Sequence, residues 1–407
     1  MEYGMKITDI KSAYIGHNVV LRVVTDKGVD GYSQIEQGAQ YVRELVPYYR
    51  NMIVGCDPTD VEDTVRRMRR VSAFKPWGKV CSSIEMALWD IAGKEAGLPI
   101  YKLMGGKVRD RVRVYNGGFS PANPPHKNAD TPEKRGENIL HLNEIPEGFS
   151  IVKTALGWHV PDYYKDTDAY NTYTPDVATG AFLRRGSLLM EAALKNTIDY
   201  ISRVKAVVGD RVGLAFDMGP NYMPTDIIRI AKAVEHLNVM WLEDTITGDY
   251  TPYTSAKVYR DVTSVTTTPI HTGEQIFLRQ NFMDLIENRA VDIIGPDPAD
   301  VGGIAELKWV TEYADLHGIL MAPHGVGDGI FGIAALTQVC ATLPQNYIAF
   351  ELPAIRPDFW MDITEGLPGD YLRDSHIKVW DTPGVGVVFN ENKAVAYLSA
   401  DDKDFFL

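Results

Sequence analysis

Apolar and polar positions alternate from Ile7 to Tyr14 and again from Val19 to Thr25, the period of a half-buried strand. Asp26-Lys27-Gly28 makes a turn, and Gly31-Tyr32-Ser33 opens a third strand. Gln40 to Val54 and Thr59 to Val71 then carry helical spacing. Ser82 to Gly97 reads as a helix that opens on a capping serine and stops on glycine, with Ile84, Ala87, Leu88 and Ile91 on one face. Residues 1–111 are therefore expected to form an α+β unit.

From about Val112 the pattern becomes short apolar runs separated by amphipathic helices. The runs are Val112–Tyr115, Ser150–Ala155, Val212–Asp217, Val239–Glu243, Ile270–Glu274, Asp292–Pro296, Leu320–His324 and Ile348–Glu351. Between them lie helical stretches such as Thr197–Val208, Ile227–Leu237 and Ile304–His317. That alternation predicts parallel strands closed into a barrel. The expected fold class is α/β: a TIM-type (β/α)7-8 barrel over residues 112–360 with an N-terminal α+β capping domain. Residues 361–407 read as loop-like and are expected to return to the capping domain. Two stretches are long for connections, Asn116–Gly148 and Gly157–Leu188. The second follows a barrel strand and is expected over the catalytic face.

Composition narrows the class without naming a function. Hydrophobic residues make up 45% of the 407 positions and charged residues 23%, as in an ordinary globular enzyme. No apolar run approaches a membrane span, and the N-terminus enters a strand-like pattern directly, so a cytoplasmic protein is expected. Cys56, Cys81 and Cys340 are too scattered for a disulfide framework. A net charge of −13 argues against nucleic acid as a partner. An acidic protein can still hold a small carboxylate if a cation sits in its site.

Several of the runs end on, or are followed at once by, a polar residue in register: Asp217, Glu243, Glu274, Asp297, His324 and Glu351. Strand C-termini of a barrel open on one face, so these six side chains should converge. A single strand-end carboxylate is more often a helix cap or a surface ion-pair partner. Several buried together require a counter-charge. Three carboxylates on successive strands suit Mg2+.

The motifs ALWDIAGKEAGLPIYKLMGG, IVKT, AFDM, WLED, TGEQ, PDPADVGGI and APHG resemble the mandelate racemase/muconate lactonizing branch of the enolase superfamily over nearly the whole chain. The resemblance implies that Asp217, Glu243 and Glu274 are metal ligands and that Asp297 and His324 form an acid/base dyad. It also implies that Glu351 hydrogen-bonds a substrate carboxylate and that Lys153 is the first lysine of a Lys-x-Lys motif. Two departures stand out. Ala155 occupies the place of the second lysine, and Met218-Gly219 after Asp217 carries no histidine. With one evident base, elimination is favoured over racemisation. The expected enzyme is a lyase, a Mg2+-dependent acid-sugar dehydratase that takes the α-proton, expels the β-hydroxyl and yields a 2-keto-3-deoxy acid. A racemase or epimerase and a non-catalytic barrel subunit are the alternatives. Lys153, lacking a cationic neighbour at Ala155, is expected to stay protonated. The long second loop resembles that of mannonate and gluconate dehydratases, so His159, Tyr163, Tyr164, Tyr170, Tyr173, Arg184 and Arg185 become candidate substrate contacts. Such barrels are often homo-oligomers, and the loop could equally serve a subunit interface.

Overall fold

The computed structural model describes residues 4–16, 18–35, 40–72, 78–117, 123–156, 189, 191–219, 222–246, 255–325, 329–352 and 359–407. Strands β1 (Ile7–Ile15), β2 (Asn18–Thr25) and β3 (Gly31–Ile35) form an antiparallel meander. It packs on helices α1 (Val46–Ile53), α2 (Val61–Ser72) and α3 (Gly78–Ala96) around Ile10, Leu21, Val23, Ile53, Val65, Ile84 and Leu88. Strand β3 approaches α3 so closely that a Cβ on Gly31 would lie 2.0 Å from the Ala87 carbonyl oxygen. Only glycine permits that contact.

Helix α3 is buried on nearly every side, as a helix wedged between layers must be. It begins at Gly78 and not at the expected Ser82, whose hydroxyl instead donates to the Gly78 carbonyl at 2.9 Å. A serine inside a helix bonds back in this way, so a cap-forming residue type does not by itself mark a helix end.

Among the described residues the barrel has eight parallel strands: β4 (Arg111–Asn116), β5 (Ile151–Ala155), β6 (Gly213–Asp217), β7 (Trp241–Glu243), β8 (Ile270–Thr272), β9 (Ile293–Ile294), β10 (Leu320–Met321) and β11 (Phe350–Leu352). Pairing runs unbroken from β4 to β10, and β11 pairs with β4. The Ile348 N–H donates to the Met321 carbonyl at 2.8 Å and the Glu351 N–H to the Pro323 carbonyl at 2.9 Å. These bonds join β11 to the β10 region and close the cylinder. Helices including Glu191–Val208, Pro224–Val234, Ile304–Leu316 and Ile330–Cys340 cover the outside.

Two segments differ from expectation. Asn116–Gly148 is not all loop: it contains helix Pro132–Glu144, capped by the Thr131 hydroxyl and started by Pro132. Its charged face masked the buried side carrying Ile139 and Leu142. Beyond β11 the chain has a helix at Phe359–Ile363 and a strand, His376–Lys378, antiparallel to β4. The last residues lie on the N-terminal meander. Asp402 accepts from the Tyr14 N–H at 2.8 Å and pairs with Arg43, and Arg22 donates to the Phe405 carbonyl at 2.7 Å. Among the described residues no helix is long and apolar enough to cross a membrane.

Candidate active site

Inward positions on a barrel strand recur every second residue, so the interior is built in layers. One layer is Tyr115, Ile151, Ala215, Trp241, Ile293, Ala322 and Ala349, a single buried cluster. On β8 the matching position is His271, fully buried, with Nε2 3.0 Å from the Ala322 carbonyl oxygen. Two residues on, toward the mouth, the sequence reads Gly117, Lys153, Asp217, Glu243, Gly273, Gly295, His324 and Glu351. The glycines make room for the charges. A Cβ on Gly117 would sit 1.9 Å from Glu351 Oε1, and one on Gly295 would sit 2.3 Å from His271 Nε2.

Glu243 is fully enclosed. Lys153 Nζ donates to its Oε1 at 2.5 Å, Trp241 Nε1 donates to Oε2 at 2.8 Å, and His271 Nδ1 lies 3.2 Å from Oε2. Burial pushes the carboxyl up, but Lys153 and His271 outweigh it and hold Glu243 well below the usual carboxylate range. Lys153 also reaches Glu351 at 3.3 Å and Asp217 at 3.6 Å. Burial alone would lower its ammonium. The carboxylates of Glu243, Glu351 and Asp217 prevail and keep it well above an ordinary lysine. The expected charge state therefore has a cause beyond Ala155: three carboxylates converge on one ammonium.

Asp297 leaves the barrel just past β9 and is fully buried. Its Oδ2 lies 2.5 Å from His324 Nδ1, and its Oδ1 accepts from the Ala299 N–H at 2.6 Å. The other ring nitrogen, Nε2, lies 3.4 Å from both Glu274 Oε2 and Glu351 Oε2. Burial pulls the imidazole down, while Glu274, Glu351 and Asp297 together lift it well above the usual histidine value. Glu351 thus stands between the two cations, and the Tyr115 hydroxyl donates to it at 3.3 Å.

Among the described residues, Glu243, Asp244 and Glu274 bring carboxylate oxygens within 4.8 Å of one another. Burial raises the Glu274 carboxyl, His324 and Lys153 pull it back, and the charges of Glu243 and Asp217 add to the rise, which prevails. An all-oxygen donor set whose members repel one another fits a hard divalent cation. Asp217 stands outside that trio. In register it lies beside Glu243 on one side and Ala155 on the other, and its Oδ1 accepts from the Gly219 N–H at 3.0 Å. Asp244 is a member of the cluster that the sequence pattern did not single out. It is buried at a positive φ of 44° and accepts from the Thr272 hydroxyl at 2.8 Å. Trp241, His271 and Tyr115 also escape the pattern, although counting back two residues from the strand-end Glu243 would have found the first. The loop candidates His159, Tyr163, Tyr164, Tyr170, Tyr173, Arg184 and Arg185 lie outside the described residues.

Comparison with known proteins agrees with this architecture. Residues 7–105 match the family model for the mandelate racemase/muconate lactonizing enzyme N-terminal domain, and residues 142–393 match that for an enolase C-terminal domain-like unit. A D-xylonate dehydratase of Haloferax volcanii is 30% identical over 97% of this chain and 89% of its own. A D-mannonate dehydratase of Novosphingobium aromaticivorans is 26% identical over 93% of this chain and 91% of its own. Among solved structures, a mandelate racemase/muconate lactonizing enzyme-like protein from Rubrobacter xylanophilus superposes with a TM-score of 0.80 at 27% identity, covering 97% of each chain. The chain belongs to the mandelate racemase/muconate lactonizing enzyme family of the enolase superfamily, and it is a lyase of the hydro-lyase class.

Proposed function

We propose that the chain is a Mg2+-dependent dehydratase of a sugar acid, with Asp217, Glu243 and Glu274 holding the metal and His324 moving the proton. The observation that carries this reading is asymmetry. An imidazole backed by a buried carboxylate stands at one side of the mouth, and Ala155 occupies the place where a second base would be. Racemisation needs a proton donor on the face opposite the acceptor. Elimination of water does not. The dehydratases among the relatives support the same choice.

Mg2+ bound to the carboxylates would neutralise part of their charge and stabilise the ene-diolate that forms when the α-proton leaves. The remaining work falls to side chains. Asp297 holds the Nδ1–H of His324, which fixes the tautomer and turns Nε2 toward the mouth. A divalent cation at Glu274 would offset part of the negative charge that holds a proton on Nε2. With that proton released, Nε2 takes the α-proton, the Cβ–O bond breaks, and the same nitrogen returns a proton to the departing hydroxyl. Water leaves, and the enol tautomerises to a 2-keto-3-deoxy acid. Lys153 supplies a fixed positive charge beneath the substrate carboxylate, and Glu351, flanked by Tyr115, Lys153 and His324, hydrogen-bonds that carboxylate. His159, Tyr163, Tyr164, Tyr170, Tyr173 and Arg184 are proposed to contact the hydroxyls.

Screening a sugar-acid library in deuterated water, with semicarbazide detection, tests the reaction. A 2-keto-3-deoxy acid is expected. Recovery of α-deuterated substrate without keto acid would replace the dehydratase by an epimerase. Metal binding is checked separately by titrating Mn2+ into the chelator-treated protein. One ion per chain is expected, with Glu243→Gln weakening it at least about 10-fold, and unchanged affinity would remove Glu243 from the ligand set.

A further inference from the structure

We propose that Lys79 and Glu85, both on α3 of the capping domain, are positioning residues for the acid/base dyad, fixing the turn that carries Asp297. The inference rests on the dyad's role proposed above. Asp297 opens a four-residue helix, Pro298–Val301, far too short to persist by itself. Its carbonyl accepts from the N–H groups of Asp300 (3.0 Å) and Val301 (2.8 Å). Any displacement of Asp300 therefore pulls directly on the Asp297 backbone.

Side chains of the capping domain grip the segment from Asp300 to Glu306. Lys79 Nζ reaches both oxygens of Asp300, at 2.5 Å and 2.6 Å, in an almost fully buried pair. Glu85 accepts from the N–H groups of Ile304 (2.9 Å) and Ala305 (3.0 Å) at the start of helix Ile304–Leu316. Arg69 pairs with Glu306 at 2.9 Å, and Arg279 of the barrel pairs with the same carboxylate. Between these anchors Gly302 and Gly303 take φ of 116° and 103°, and a Cβ on Gly303 would lie 1.9 Å from Glu85 Oε2. The turn and the helix α3 are thus fitted to each other at backbone distance.

Simple adhesion between the domains does not call for this arrangement. Apolar side chains of similar volume would hold two surfaces together at least as well as buried charges, which cost desolvation. Directional ion pairs add registry instead. Registry matters here because the Asp297–His324 contact is 2.5 Å long, and misplacing a reacting group by about 1 Å can cost roughly 10²-fold in rate. Burial pushes the Glu85 carboxyl up to about 8, against the pull of Ala305, Ile304, Trp89 and Arg69. The N–H groups of Ile304 and Ala305 and the Trp89 indole all point at it, so its grip on the turn is set by geometry.

The test uses the Mg2+-loaded full chain with 15N-labelled histidine at one fixed pH. Its first readout is the proton on His324 Nδ1, assigned by its loss in His324→Asn. Lys79→Met is expected to shift that resonance upfield and to lower kcat about 10–10²-fold with KM changed less than about threefold. Lys79→Arg should restore both, and Mn2+ affinity should stay within about threefold throughout. A folded Lys79→Met protein with an unmoved resonance overturns the proposal. So does a resonance that moves while kcat on an identified substrate is unchanged. Should Lys79→Met not fold, Glu85→Gln, which keeps the size, carries the same test. The resonance needs no substrate, so a failure of the dehydratase reading shows in product analysis alone.

Discussion

His324→Asn is expected to lower turnover by at least about 10²–10⁴-fold, the range lost with a general acid/base. The substitution is conservative toward the fold. Asparagine can still offer an N–H to Asp297, whose other oxygen remains held by the Ala299 N–H. What disappears is Nε2, the atom 3.4 Å from Glu274 and Glu351 that faces the mouth. With the metal bound, the melting temperature should therefore stay near that of the parent. In deuterated water, α-proton exchange should vanish together with keto-acid formation, since one nitrogen serves both steps. Near-normal turnover in this variant would mean that another group moves the proton.

Lys153→Met is expected to make folding depend on the metal. The ammonium touches Glu243, Glu351 and Asp217, and methionine would remove the cation these carboxylates share. Breaking a buried pair from one side typically destabilises by about 3–5 kcal/mol. In chelator the variant should unfold at markedly lower urea concentration than the parent. Saturating Mg2+ should recover much of the loss, because an ion bound only by the folded form stabilises it. Lys153→Arg keeps the charge and should fall between the two. Equal urea midpoints for parent and methionine variant in chelator would show that the ammonium is not holding the carboxylates together.

The barrel and the strand-end charges were legible because both follow from local periodicity. Apolar runs alternated with amphipathic helices, and several of the runs stopped on or beside a charged residue or histidine at the place where a strand meets the mouth. Lys153 illustrates where local reading stops. The sequence showed a lysine without a lysine neighbour, whereas the fold shows three carboxylates from three other strands around it. His271 was invisible for the same reason: its significance comes from Glu243 and Ala322, which arrive on other strands. The Lys79–Asp300 pair joins positions 221 residues apart, and no spacing rule reaches that far. Helix Pro132–Glu144 failed differently. Its turn-forming flanks and charge outweighed a narrow apolar face, and tertiary burial of Ile139 and Leu142 decided the outcome.

The tail that lies on the N-terminal meander has a consequence for synthesis. Arg43 and Asp402 are 359 residues apart, and ribosomes add about 5–20 residues per second. Arg43 therefore emerges roughly 20–70 s before the carboxylate that completes its ion pair. Through that interval the meander has neither Asp402 on Tyr14 nor the Phe405 carbonyl on Arg22, while each barrel unit finds its neighbour as soon as the next strand appears. The capping unit is made before the barrel and completed only after it, so the interval between is where a nascent-chain chaperone has time to act on it.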